Sequence, residues 1–309
     1  MEPGATLELA DLHDRARAAF LGLALGDALG ATLEFMTAAE IRAAHGVHRE
    51  LTGGGWLRLK PGRVTDDTEM SLCLARAIDR AGGFDLRAVA EELAGWLRGN
   101  PVDVGSTVRK GLRNFLVFGA LETPPNEWDA GNGAAMRLLP VALHTLGDEA
   151  ALERQVLAQA RLTHHHPLSD AACVALGRMV QAAVTGRSLA RLRGEADALV
   201  ARHRTFRFVP YRGQASGYVV ETCQTVFHHF FGSADFESCL VATVNQGGDA
   251  DTTGAIAGML AGGFYGPERL PARWLRRLDR GLVAELTRLS ARLVELSPLG
   301  RALRSRGGA

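Results

Sequence analysis

The chain has 309 residues, of which 47% are hydrophobic and 22% charged, and its formal net charge is +1. That is the composition of a globular protein able to build a sizeable core, and the near-neutral balance argues against a nucleic-acid or membrane-surface partner. The longest apolar stretches, near 20–33 and 254–265, are too short to cross a bilayer, and Asp27 interrupts the first.

At the N-terminus, Glu2, Glu8 and Asp11 stand where a signal peptide would be basic, so none is expected. A helix is predicted over 12–30. Within it Gly22, Gly26 and Gly30 recur every four residues, and Gly254, Gly258 and Gly262 repeat that spacing in a helix over 252–265. Residues four apart share one ridge of a helix. Each glycine costs about 1 kcal/mol of helix propensity relative to alanine. The expected compensation is close backbone approach, in two buried central helices with each other as candidate partners. A plainer reading is that the glycines end short helices.

The loop 46–67 runs into a helix over 68–81. Asp85 reads as the N-cap of the next helix, whose Leu86, Val89, Ala90, Leu93, Trp96 and Leu97 share a face until Gly99 and Pro101 stop it. The loop 99–107 precedes a helix from Ser106 to Phe118. Further helices are expected over 134–146, 149–162, 169–185, 188–203, 216–231, 235–244 and 281–296. Between them lie loops at 121–132, 163–168, 204–215 and 245–251, the usual seat of chemistry. Alternating β-branched runs are hard to find, so the fold class is all-α, a single domain over 1–309 with many short helices and no linker or fixed-period repeat. Cys73, Cys173, Cys223 and Cys239 form no CxxC pair, as expected of reduced residues in a cytoplasmic protein.

Two polar clusters stand where a loop enters a helix: Thr65-Asp66-Asp67-Thr68, and Asn245-Gln246-Gly247-Gly248-Asp249-Ala250-Asp251-Thr252-Thr253. One acid at such a place is explained as a cap. Two paired acids at two sites exceed what capping requires, and four gathered carboxylates need a cation to offset them. Carboxylate and hydroxyl oxygens suit hard ions such as Mg²⁺, Mn²⁺ or Ca²⁺. Four Asp with two Thr exceed the needs of one ion, so two ions sharing ligands fit the pattern. Capping and metal binding both remain open on the pattern alone.

The run Gly22-Leu23-Ala24-Leu25-Gly26-Asp27-Ala28-Leu29-Gly30 with Glu34-Phe35, the Thr65-Asp66-Asp67-Thr68 cluster and Gly247-Gly248-Asp249-Ala250-Asp251-Thr252-Thr253-Gly254 together resemble the ordered motifs of the ADP-ribosylglycohydrolase family. The resemblance spans about residues 15–266. Asn100-Pro101-Val102-Asp103-Val104-Gly105, the segment Thr163 to Asp170 with its three histidines, and Pro210 to Tyr218 are similar to the branch acting on the nitrogenase iron protein.

The resemblance implies one compact orthogonal bundle of short helices around two divalent ions, Mn²⁺ or Mg²⁺. It implies that Thr65, Asp66, Asp67, Asp249, Asp251 and Thr252 are metal ligands, and that Glu34 and Asp103 are catalytic. It places His164, Tyr218, Gly105 and Ser106 at the substrate. The expected reaction is hydrolysis of the N-glycosidic bond of ADP-ribosyl-arginine on a protein, with the nitrogenase iron protein as the expected target. A nitrogen-signalling regulator at the membrane is a further partner implied by that branch.

Plainer roles compete for several of these residues. Asp103 also reads as a cap of the helix from Ser106 to Phe118, a role compatible with function, and Glu34 as a surface acid at a helix end. Tyr218 reads as an ordinary helix-start aromatic, and His165 and His166 as a solvated loop. His228 and His229 are expected to pack within a helix. Other functions compete too: a family hydrolase for serine-linked or O-acetyl-ADP-ribose, a non-catalytic ADP-ribose-binding member, or a two-metal phosphohydrolase.

Overall fold

The computed structural model describes residues 7–307, so Glu2 lies outside the described residues. Fifteen α-helices follow one another among them: α1 (Leu9–Gly30), α2 (Ala38–His45), α3 (Asp66–Ala81), α4 (Leu86–Arg98), α5 (Ser106–Phe118), α6 (Leu139–His144), α7 (Glu149–Arg161), α8 (Pro167–Val184), α9 (Leu189–Arg202), α10 (Val219–Gly232), α11 (Phe236–Val244), α12 (Ala250–Tyr265), α13 (Ala272–Leu275), α14 (Arg280–Leu296) and α15 (Pro298–Gly307). No strand forms among the described residues, only isolated bridges such as Thr37 with Gly247 and Gly131 with Tyr218. No described helix is long and apolar enough to cross a membrane.

The two glycine-bearing helices are the centre. Every residue from Ala18 to Gly30 of α1 and from Ala250 to Gly263 of α12 is buried, as expected of helices apolar on all sides. They run antiparallel and touch backbone to backbone. A Cβ at Gly22, Gly26 or Gly30 would collide with the carbonyl oxygens of Gly258, Gly254 and Ala250 respectively. A Cβ at Gly258 or Gly262 would strike the carbonyls of Gly22 and Ala18. The glycines therefore do not end short helices. They let two helix axes approach until Cα hydrogens meet facing carbonyls.

Around this pair, α3 and α14 pack on α1, while α8, α10 and α11 pack on α12. Helix α1 also completes its neighbours. Arg15 Nη1 donates to the Gly263 and Phe264 carbonyls at 3.0 and 2.7 Å, satisfying orphan acceptors at the C-terminal end of α12. At its other end Asp27 caps α3, as described below.

The expected helix at 134–146 is shorter, because Pro140 sits at the start of α6. A helix running through it would lose a backbone bond and press the ring on the Met136 carbonyl. Residues 133–137 form turns instead. Helix α2 was not expected, although Thr37 and Glu40 form a complete capping box before it. Asp85 caps α4 as expected, accepting from the Arg87 and Ala88 amides at 2.8 and 3.1 Å.

The central contact gives a stability prediction. Gly26→Ala gains helix propensity but drives a methyl into a backbone carbonyl that no rotamer change can move, so a net loss of about 1–3 kcal/mol is expected. Gly194→Ala in α9, where nothing lies within 4 Å, is expected to be neutral or to stabilise by up to about 1 kcal/mol. Denaturant melts of both variants check this. A Gly26→Ala protein as stable as the parent would remove the argument.

Candidate metal centre and substrate cavity

Because α1 and α12 are antiparallel, the C-terminal end of one lies at the N-terminal end of the other. The N-termini of α3 and α5 reach the same place. Their junction encloses a cavity of about 860 Å³, within the roughly 300–1,000 Å³ common for small-molecule sites. Glu34, Asp66, Asp103, Asp249, Asp251 and Thr252 all line it. The two acidic clusters, some 180 residues apart in sequence, thus share one chamber.

The first cluster is held by a residue not singled out for the site. Asp27 on α1 is fully buried and accepts from the Thr65 and Thr68 amides at 3.0 and 3.1 Å and from their hydroxyls at 2.9 and 2.5 Å. The N-cap residue of α3 is Thr65, and Asp27 does the capping side chain's work from another helix. Burial lifts its carboxyl to about 6 while the hydrogen bonds pull the other way. The Thr65 hydroxyl has one proton, and its shorter bond is the one to Asp27. Thr65 is buried behind the cavity wall and does not line it.

Thr65 Oγ1 and Thr252 Oγ1 both approach Asp67 Oδ2, at 3.2 and 3.3 Å, so Asp67 joins the two clusters. Its other oxygen, Oδ1, is buried with no hydrogen-bond partner among the described residues. An unmet buried carboxylate oxygen is costly, and a cation is the partner that donor chemistry suggests. Burial, followed by the neighbouring acids, pushes the Asp66, Asp67 and Asp251 carboxyls well above their usual range.

Glu34, Asp103 and Asp251 each offer an oxygen, all within 4.8 Å of one another. Two acids expected to be catalytic therefore stand in one donor group with an expected ligand. Glu34 is buried, not a surface acid; Trp56 Nε1 donates to its Oε2 at 2.6 Å. Burial raises its carboxyl to about 7, with Asp103 and Asp249 adding to the effect and Trp56 opposing it. Asp103 accepts the Val104 amide at 2.8 Å and caps nothing on α5, whose N-cap is Gly105. Burial raises its carboxyl as well.

The second cluster needs its glycines. Gly247 and Gly248 have φ of +77° and +67°, and a Cβ on either would hit the carbonyls of Met36 and Ala215. The strand of loop they form is laced to both neighbours: Phe35 N to Gly248 O at 2.7 Å, Gly248 N to Met36 O at 2.8 Å, and Asp249 N to Ala215 O at 2.6 Å. Asn132 Nδ2 donates to Asp249 Oδ2 at 2.7 Å and to Thr222 Oγ1 at 3.0 Å. Sequence reasoning gave no role to Asp27, Trp56 or Asn132, whose bonds to the site run over long separations in the chain.

The substrate candidates divide. Gly105, Ser106 and His164 line the cavity; Tyr218 does not. Tyr218 is 38% exposed at the N-cap of α10, beside the lining residue Gly217. His165 and His166 are not a solvated loop: His165 Nδ1 bonds the Thr123 carbonyl at 2.7 Å, and His166 Nδ1 caps α8 through the Leu168 amide at 3.1 Å. His228 stacks on Tyr211 with centroids 4.4 Å apart, in line with a packing role.

A model of the ADP-ribosylglycohydrolase family matches residues 8–302. The chain is 57% identical to the ADP-ribosyl-[dinitrogen reductase] glycohydrolase of Rhodospirillum rubrum, over 93% of this chain and 98% of that one. It is 32% identical to an ADP-ribosylarginine hydrolase of Serratia proteamaculans, over 86% of this chain and 75% of the relative. Among solved structures, an ADP-ribosylglycohydrolase-related protein complex superposes with a TM-score of 0.81 at 33% identity, covering 93% of this chain and 99% of the matched chain. A full-length family match, these relatives and an all-helical fold around one acidic chamber agree, and the chain belongs to the ADP-ribosylglycohydrolase family.

Proposed function

We propose that this chain is a metal-dependent hydrolase of ADP-ribosyl-arginine on a protein, with the nitrogenase iron protein as its target. The observation that carries this is the convergence of Glu34, Asp66, Asp103, Asp249 and Asp251 on one cavity, with Asp67 buried behind them and one of its oxygens unpaired. The name of the Rhodospirillum rubrum relative supports the choice of target, and that of the Serratia relative the arginine linkage. On this reading residues 1–309 work as one domain in the cytoplasm, and the partner is an ADP-ribosylated protein.

The donor set fits hard divalent ions, Mn²⁺ or Mg²⁺. Asp66, Asp67, Asp249, Asp251 and Thr252 would hold them, with Thr65 supporting Asp67 from behind. When bound, such ions offset the carboxylate charge and polarise the ribose hydroxyls. The protein's own groups do the rest. Glu34 and Asp103, close together on the cavity wall, exchange protons with water and with the departing guanidine. The bond from the anomeric carbon to the guanidine nitrogen breaks, the water oxygen takes its place, and the leaving nitrogen gains a proton. Positive character on the sugar during this step faces a wall of carboxylates. Trp56 fixes Glu34, Asn132 fixes Asp249, and Gly105 with Ser106 offers donors for phosphate at the start of α5.

The direct test is release of ADP-ribose from arginine-linked and serine-linked ADP-ribosylated proteins, with and without chelator. Turnover of the arginine linkage that chelator abolishes is expected; turnover of the serine linkage alone would reassign the substrate. Asp66→Ala and Asp249→Ala should each lose bound metal, measured by elemental analysis, together with activity. Metal retained at full stoichiometry in both would overturn the ligand set. Asp103→Asn should keep its metal and helical circular dichroism yet lose turnover by about 10²–10⁴-fold. Near-parental activity of that variant would remove Asp103 from proton transfer.

A further inference from the structure

Behind the cavity wall, Arg137 is completely buried, yet it bonds no carboxylate among the described residues. Its Nε donates to Gln159 Oε1 at 2.8 Å. Its Nη2 donates to the Gln159 carbonyl and to Thr163 Oγ1, both at 2.8 Å. A buried cation bonded only to neutral oxygens is an uncommon arrangement.

Thr163 is buried too, and its hydroxyl has two partners among the described residues: Arg137 Nη2 and His164 Nδ1, the latter at 2.8 Å. A guanidinium only donates. The Thr163 oxygen therefore accepts from Arg137, and its single proton has one acceptor in reach, His164 Nδ1. The opposite arrangement, with a proton on Nδ1 pointing at Thr163, leaves the buried hydroxyl proton without an acceptor. A neutral imidazole that accepts at Nδ1 carries its proton on Nε2. The ring is buried, and burial together with the Arg137 charge pushes it down to about 3, which keeps it neutral. Its outer edge is kept clear by glycine. A Cβ at Gly131 would stand 3.0 Å from His164 Nε2, and one at Gly133 would stand 2.9 Å from Cε1.

We propose that Arg137 and Thr163 are positioning residues that hold His164 as the Nε2–H tautomer, presenting the cavity with one neutral, directed N–H donor for an oxygen of the ADP-ribosyl group. The identity of that oxygen rests on the proposed function; the tautomer is a property of the free protein. In a chamber crowded with carboxylates, a histidine able to take a second proton would become a competing cation. The Arg137 to Thr163 to His164 chain blocks this, because protonating Nδ1 strands the Thr163 hydroxyl proton against it.

The test begins with long-range ¹H–¹⁵N correlation spectra of the ¹⁵N-labelled protein in Mg²⁺, with the His164 signals assigned by their loss in His164→Gln. An Nε2–H pattern with an unprotonated Nδ1 is expected. An Nδ1–H pattern, or an imidazolium at neutral pH, would overturn the proposal. Thr163→Val should mix the tautomers and lower both affinity for ADP-ribose and kcat/KM by about 10–100-fold, with Thr163→Ser restoring most of the loss. Unchanged spectrum and affinity in Thr163→Val would also overturn it, and if that variant does not fold, the parent spectrum decides. The expected tautomer in a protein that fails to hydrolyse ADP-ribosyl-arginine would defeat the substrate reading and leave this one standing.

Discussion

The contact between the glycine ridges of α1 and α12 sets where everything else in the molecule goes. Its geometry is antiparallel and in register, with Gly22 against Gly258, Gly26 against Gly254 and Gly30 against Ala250. Registry at that distance leaves no freedom to slide, because each step is defined by a carbonyl seated where a side chain would be. The loop after Gly30 and the loop before Ala250 must then emerge together. They carry Glu34 and Asp249. Asp27, one turn before Gly30, reaches sideways to cap α3 and so brings Asp66 and Asp67 to the same point. A packing feature with no chemistry of its own thus gathers the acids.

That gathering is electrostatically unfavourable in the protein alone. Two carboxylates less than 5 Å apart repel by about 3 kcal/mol per pair at an effective dielectric near 20. The N-terminal ends of α3, α5 and α12 point at the chamber, but each helix end offsets about 0.3–1 kcal/mol, and at most about 2. Several mutually close acids exceed what three helix ends supply. The balance must come from protons, as the upward shifts of Asp66, Asp67 and Asp251 express, or from cations. Asp67 shows the need for one or the other, since its buried Oδ1 meets no donor among the described residues.

Much of this was legible in the sequence where a local pattern carries it. Four-residue glycine spacing predicted the central helices, and paired acids at two helix starts marked the chamber. What was hidden depends on distance along the chain. Asn132 meets Asp249 across 117 positions, and Trp56 meets Glu34 across 22; neither sits in a pattern of its own. Asp27 lay within the glycine-rich run of the family resemblance but was given no role of its own, though a lone acid inside an otherwise apolar helix has to find donors somewhere. The His164-His165-His166 run shows the converse limit. Three identical neighbours take three separate jobs, on the cavity, on the Thr123 carbonyl and at the cap of α8, because a turn points successive side chains in different directions.

Stability and chemistry are therefore separated in this fold. The stabilising contacts lie between apolar helix faces and glycine backbones that hold no reactive group, and the reactive groups sit at helix ends where they cost stability. An ion that binds the folded chamber and not the unfolded chain repays part of that cost in proportion to its binding free energy. Asn132, Trp56 and Asp27 matter because they limit the alternatives. Asn132 and Trp56 each hold one acid by a hydrogen bond from another element, and Asp27 holds Thr65 and Thr68 on either side of Asp66 and Asp67, so the carboxylates are hindered from swinging apart. On the proposed function, a hard divalent ion would offset that repulsion where it is greatest.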